Sequence, residues 1–215
     1  MKRQYFEDMY AANPDPWGFT DRWYEQRKYA LTLAALTRPR YRAVFEPGCS
    51  IGVLSAQLAL RCDRLVAVDL VPSAVEQART RLRELPAGAA EVEVRPWDAT
   101  TEAWPDGPFD LVVLSEMVYY LDAGQVTRLM RDTVDHLSED GEVVLVHWRP
   151  RVPEYPLTGD EAHTLARSTL GLEVAAHYAD DDLVLDVLRR PGVGSVALRE
   201  GLREKDSAPE KVSSR

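Results

Sequence analysis

Short β-branched runs alternate with longer helix-like stretches through the middle of the chain, and few folds accommodate that pattern. Tyr41–Glu46, Arg64–Asp69, Glu91–Arg95, Pro108–Ser115 and Glu142–His147 read as strands. The third alternates with period two, as a strand with one wet face does. The fourth has the near-continuous apolar character of a central parallel strand. Ile51–Leu60, Pro72 to about Leu85, and Ala123–Leu137 read as helices, with Asp140-Gly141 as a turn. A further helix near Asp160–Leu170 precedes Leu172–Tyr178 and Leu183–Leu188, which form an antiparallel hairpin around Asp180-Asp181. Strands regularly separated by helices demand crossover connections. The expected class is therefore α/β, a doubly wound sheet with an antiparallel edge from the hairpin.

The 215 residues suit one domain, expected over residues 1–190, with 191–215 read as a disordered tail from its Pro/Gly/Ser and charged composition. Residues 1–30 are rich in Trp, Tyr and Phe and are expected to form a lid over the sheet edge. The formal net charge of −9 argues against nucleic acid as the main partner, since phosphate binding needs a basic face. The N-terminus shows no apolar core with a small-residue cleavage site. The longest apolar stretch, Leu111–Leu121, is broken by Glu116 and is far short of the about 20 residues a membrane span needs. A soluble, cytoplasmic protein without membrane contact is expected. Cys49 and Cys62 flank a helix and are expected to stay unpaired and buried, and no metal-ligand spacing is present.

The loop after the first strand, Glu46-Pro-Gly-Cys-Ser-Ile-Gly52, carries the chemistry. The dinucleotide fingerprint fails on it, because its second and third glycines fall on Ser50 and Val53. The G-x-S-x-G nucleophile elbow matches literally, with Ser50 as nucleophile and Asp122 and His147 in the right chain order. It lacks a glycine-rich oxyanion segment upstream. The acid-x-G-x-G-x-G loop of S-adenosylmethionine-dependent methyltransferases departs only at Ser50. In that reading Gly48 lets the backbone approach a ligand, Gly52 lets the following helix pack close, and Glu46 accepts from the cofactor's ammonium. A plain strand-to-helix turn is the alternative.

The next two strand ends favour the third reading. Asp69 lies twenty-one residues beyond Gly48, at the spacing of a carboxylate that accepts from both ribose hydroxyls, with Leu70 beside it. Trp97-Asp98-Ala99 follows the third strand, where Asp98 can accept from an adenine amino group and the adjacent N–H can read a ring nitrogen. Each acid alone is also an ordinary turn or cap residue.

These motifs resemble class I S-adenosylmethionine-dependent methyltransferases. Within that superfamily the chain is similar to the NodS-like nodulation N-methyltransferases. Asn13-Pro-Asp-Pro-Trp17, Trp23-Tyr-Glu-Gln-Arg27 and Ser115-Glu-Met-Val-Tyr-Tyr-Leu121 carry the narrower likeness, which covers roughly residues 5–188. It implies a Rossmann-like seven-stranded sheet of order 3-2-1-4-5-7-6 with the last strand antiparallel, and an aromatic N-terminus folding over bound cofactor. It also implies methyl transfer to an amine, in the named family that of a deacetylated amino sugar. In this setting Trp17, Tyr24 and Arg27 are expected on the methionine moiety, Arg27 forking its carboxylate. Ser115 is expected at the cofactor's reactive end.

An amine must be neutral when it attacks. Glu116, directly after the fourth strand, is expected to orient the acceptor and take its proton. His147, ending the fifth strand, is the other candidate base, and Tyr120 a stacking partner beside the acceptor. A helix-start carboxylate, a structural histidine and a packed ring are the plainer alternatives. A hydroxyl acceptor would use the same residues.

Overall fold

The computed structural model describes residues 3–204. In chain order the elements are α1 (Arg3–Ala12), α2 (Trp23–Ala35), β1 (Tyr41–Pro47), α3 (Val53–Leu58), β2 (Cys62–Asp69), α4 (Pro72–Arg83), β3 (Glu91–Pro96) and β4 (Phe109–Ser115). They continue with α5 (Ala123–His136), β5 (Leu137–Trp148), α6 (Gly159–Arg167), β6 (Glu173–Ala179), β7 (Leu183–Arg189) and α7 (Val196–Arg199). The seven strands form one sheet, β3-β2-β1-β4-β5-β7-β6, in which β7 alone runs antiparallel to its neighbours. The implied order is the observed one. The antiparallel last strand, β7, lies inside the sheet as that order implies, and β6 forms the edge.

Side-chain alternation divides the sheet into two buried faces. Val44, Leu111 and Val113 pack with Tyr29 of α2, Leu36 just after it, Leu54 and Leu58 of α3 and Leu82 of α4. Phe45, Val112 and Leu114 pack with Val126, Leu129 and Met130 of α5 and Ala162 and Ala166 of α6. Asp122 and Thr158 start α5 and α6 with reciprocal capping boxes to Gln125 and Glu161. Because β1 and β4 are neighbours while β2 and β3 lie to one side, the chain reverses direction at β1. A crevice opens there, beyond the carboxyl ends of the strands.

Four boundaries differ from the sequence reading. The first crossover helix is short: Gly52 at φ +78 delays its start to Val53, and a 3₁₀ turn over Ala59–Arg61 ends it before β2, which begins at Cys62. Asp140-Gly141 is not a turn but part of β5. There the register jumps from Phe109 opposite Leu137 to Leu111 opposite Glu142, so the bulge absorbs the residues that read as a break. The aromatic N-terminus covers the strand ends rather than the sheet edge. The expected tail is structured as far as it is described: Ser195 caps α7, and Arg199 bonds the Thr37 carbonyl (2.8 Å) and hydroxyl (2.9 Å). Residues 205–215 lie outside the described residues. Cys49 and Cys62 are buried and unpaired. Among the described residues no helix is long and apolar enough to cross a membrane, and no side-chain cluster has metal-binding composition.

Candidate active site

A cavity of about 630 Å³ occupies the crevice. Its floor is the run of strand ends, and its roof comes from α1, the loop after it, and α2. Glu46, Asp69 and Asp98, from the ends of β1, β2 and β3, all line it, as do Gly48, Ser50, Leu70, Trp97, Ala99 and Ser115.

The three acids sit in different surroundings. Glu46 is 3% exposed, and its Oε2 meets no hydrogen-bond donor among the described residues. Burial pushes its carboxyl up to about 8, and the Asp69 charge adds to the rise. Asp69 accepts from the backbone N–H of Ser50 (2.8 Å) and of Val71 (2.9 Å), one on each oxygen, and burial raises its carboxyl above the ordinary range. Asp98 accepts from the Thr100 N–H (2.8 Å) and hydroxyl (2.6 Å) through Oδ1 alone. Against a partial burial that would raise it, these bonds hold its carboxyl below the ordinary range.

Two glycines make the loop possible. Gly48 (φ +79) turns the chain so that its N–H and that of Cys49 donate to the Val68 carbonyl, at 2.8 and 2.9 Å. A Cβ there would stand 3.1 Å from Met117 Cβ. Gly52 packs against α4 rather than the helix that follows it: a Cβ would lie 3.0 Å from Ala78 Cα. It does not line the cavity.

The hydrolase reading fails on geometry. The Ser50 hydroxyl pairs with that of Tyr10, Asp122 caps α5, and His147 is wholly buried on the far side of the sheet. His147 Nε2 accepts from the Val118 N–H (3.1 Å), so its Nδ1 donates to His163 Nε2 (2.9 Å), and His163 Nδ1 donates to Asp186 Oδ2 (2.6 Å). Burial, then the neighbouring His163, push the His147 imidazole well below its usual range. Both ring nitrogens are engaged and the ring does not line the cavity, which rules out the expected role of His147 as base.

Glu116 also departs from expectation. It adopts φ +54, and its carboxylate accepts from Lys28 Nζ (2.9 Å), the Tyr24 hydroxyl (3.4 Å), the Tyr119 hydroxyl (2.6 Å) and the Trp148 N–H (2.9 Å). Four donors, one of them an ammonium, fill the sites a carboxylate offers. Glu116 lines the cavity as the fixed centre of a wall, not as a free base. Lys28 is 1% exposed, pairs also with Glu25 (2.6 Å), and lies among the rings of Phe19, Tyr24 and Tyr29 at 5.4–5.7 Å.

The remaining expected residues divide. Trp17 and Tyr24 line the cavity, and Tyr120 does so beside Tyr155, ring centroids 4.7 Å apart. Trp97 is a buried anchor beneath the Asp98 turn, its indole N–H on the Ala103 carbonyl at 2.9 Å. Arg27 does not reach the cavity; it pairs with Asp180 (2.6 Å) and the Tyr178 hydroxyl (2.6 Å) on the β6–β7 hairpin. The residue missed is Lys28, one position on. Its signal was the spacing of Glu25, Lys28, Tyr29 and Thr32, the buried residues of α2.

A family model described as nodulation protein S (NodS) matches residues 2–166. The chain belongs to the NodS family. Nodulation protein S of Bradyrhizobium diazoefficiens is 30% identical over 136 residues, 62% of this chain and 62% of that protein. The chain thus spans less than two thirds of the curated NodS relatives it matches. A crystal structure of a Pseudomonas syringae protein provisionally described as a methyltransferase is 44% identical, covering 79% of this chain and 100% of that one, with TM-score 0.67. N-methyltransferase NodS from Bradyrhizobium japonicum WM9, in complex with S-adenosyl-L-homocysteine, shares the fold at TM-score 0.76. It is 24% identical over 88% of this chain and 98% of that one.

Proposed function

We propose that the chain is an S-adenosylmethionine-dependent methyltransferase acting on the nitrogen of a small, polar, amine-bearing acceptor of the deacetylated amino-sugar class. The observation that carries this reading is the convergence of Glu46, Asp69 and Asp98 on one cavity, with Glu46 buried and one of its oxygens unpartnered. A buried carboxylate without a donor is costly, and a ligand ammonium relieves it. Asp69 spends one lone pair of each oxygen on the loop, and the others suit vicinal hydroxyls. Asp98 Oδ2, left out of the Thr100 bonds, suits an adenine amino group, with Ala99 beside it. The NodS structure described as an N-methyltransferase with S-adenosyl-L-homocysteine supports the cofactor and the nitrogen acceptor of this reading. The cofactor would supply an electrophilic methyl on a sulfonium.

The protein's part is to hold and orient. Tyr24, Tyr119, Tyr120, Trp148 and Tyr155 line the end of the cavity away from Asp69 and give the acceptor an aromatic wall fixed by Glu116 and Lys28. With Glu116 saturated and His147 sequestered, the amine gives its proton to solvent. Rate acceleration then rests on orientation, which can contribute roughly 7–11 kcal/mol. Incubation with methyl-labelled cofactor and glucosamine-type acceptors tests the reading: label is expected on nitrogen. Label on oxygen would make it an O-methyltransferase, and cofactor binding without turnover on any amine would contradict catalysis.

Glu46 gives a pH-dependent prediction. Unfolded, it ionises near its ordinary 4.5; folded and unliganded, near 8. Its folded-state value is raised, so its contribution is fully present below about 4.5 and is lost as pH rises through about 8. Unliganded stability is expected to fall by several kcal/mol, on the order of 5, across that window. Glu46→Gln is expected to flatten the slope in thermal melts. Binding of an ammonium-bearing ligand at pH 6.5 is expected to expel about one proton, read by calorimetry in buffers of different ionisation heat. Binding without proton release would contradict the assignment.

A further inference from the structure

Helix α1 touches both halves of the cavity at once. Phe6 and Tyr10 are one helical turn apart. Phe6 meets the Tyr120 ring edge-on at 4.8 Å, while Tyr10, 7% exposed, bonds through its hydroxyl to the Ser50 hydroxyl and packs edge-on against Trp17 at 5.6 Å. Beyond these, α1 packs into a small cluster with Ile51, Val71 and Ala74, outside the two main cores, Tyr5 bonds Tyr155, and Tyr10 is its one buried residue among those described. Such an element belongs to the low-stability end of a fold. Ser50 itself occupies φ +50, a left-handed conformation that glycine adopts without strain. Its backbone N–H donates to Asp69 Oδ2, so a single residue ties the ribose-holding carboxylate through its main chain and α1 through its side chain. A glycine would keep the first tie and lose the second.

We propose that the Ser50 hydroxyl is a latch for helix α1: paired with Tyr10, it holds the helix across the cavity and slows release of a bound adenosyl ligand. This rests on the reading that the cavity takes S-adenosylmethionine. A strained serine is retained at a position made for glycine because its hydroxyl fastens the roof to the floor. The α1 helix then bears on the acceptor end through Phe6 and Tyr120, so cofactor occupancy and the acceptor wall share one element.

Two readouts test the latch, hydrogen exchange of the α1 amides and the dissociation rate of S-adenosylhomocysteine. Tyr10→Phe and Ser50→Ala are each expected to speed both by about threefold to tenfold, and the double variant by no more than either single one. Ser50→Gly separates latch from strain: it is expected to accelerate both as Ser50→Ala does, without the added fall in melting temperature that alanine suffers at φ +50. Unchanged α1 exchange in Tyr10→Phe and Ser50→Ala, or fully additive effects in the double variant, would overturn the latch. Exchange in the free protein decides this even if the wild-type chain binds no S-adenosylhomocysteine, a result that would count against the cofactor reading alone.

Discussion

Asp69→Ala is expected to weaken binding of S-adenosylmethionine and its demethylated product by about 100-fold or more. A carboxylate accepting from two ribose hydroxyls makes two charged hydrogen bonds. At about 1.5 kcal/mol each, the low end for charged groups, they sum to about 3 kcal/mol, slightly more than two factors of ten. The free protein should lose much less. Burial already penalises the Asp69 charge, so its removal offsets part of the cost of freeing the Ser50 and Val71 N–H groups. Asp69→Asn, which keeps one acceptor oxygen, is expected to fall between. The diagnostic pattern is a near-normal melting temperature without ligand and loss of the ligand-induced rise. Unchanged affinity in Asp69→Ala would remove the ribose assignment.

The second large effect is on stability rather than binding. Glu116→Gln is expected to destabilise the fold by about 3 kcal/mol, because it leaves the Lys28 ammonium, 1% exposed, short of one of its two carboxylate partners. For a chain of this size that is a fall of roughly 6–12 °C in melting temperature. Lys28→Met is expected to cost a similar amount. The double variant should lose less than the sum by about 1–3 kcal/mol, since removing both partners leaves no uncompensated charge. A free general base would behave otherwise: Glu116→Gln would keep its melting temperature and lose only turnover. The placement of Glu116 against four donors, at φ +54, predicts the first pattern.

The strand–helix alternation was legible because period-two and helical patterns differ at every residue, and the acids ending β1, β2 and β3 were legible because strand ends in this topology share one rim. Side-chain direction was harder to read. His147 ends its strand near the crevice. It shares strand parity with Val143 and Leu145, whose face meets α5 and α6, and so it is buried against His163. Arg27 and Lys28 are adjacent in sequence but about 100° apart around α2. One faces the β6–β7 hairpin and the other the cavity. The phase set by Tyr24 and Thr32 would have chosen Lys28. Nothing local in the sequence marks the Tyr10–Ser50 pair, forty residues apart, or the bulge that carries β5 through Asp140-Gly141.

A crystal structure of the chain with S-adenosyl-L-homocysteine bears most directly on the central claim. The account predicts the amino group on Glu46, the ribose hydroxyls on Asp69 and the adenine amino group at Asp98, with the homocysteine sulfur directed toward the Glu116–Tyr120 wall. A ligand seated elsewhere, or seated in this cavity with Glu46 still lacking a donor, would contradict it.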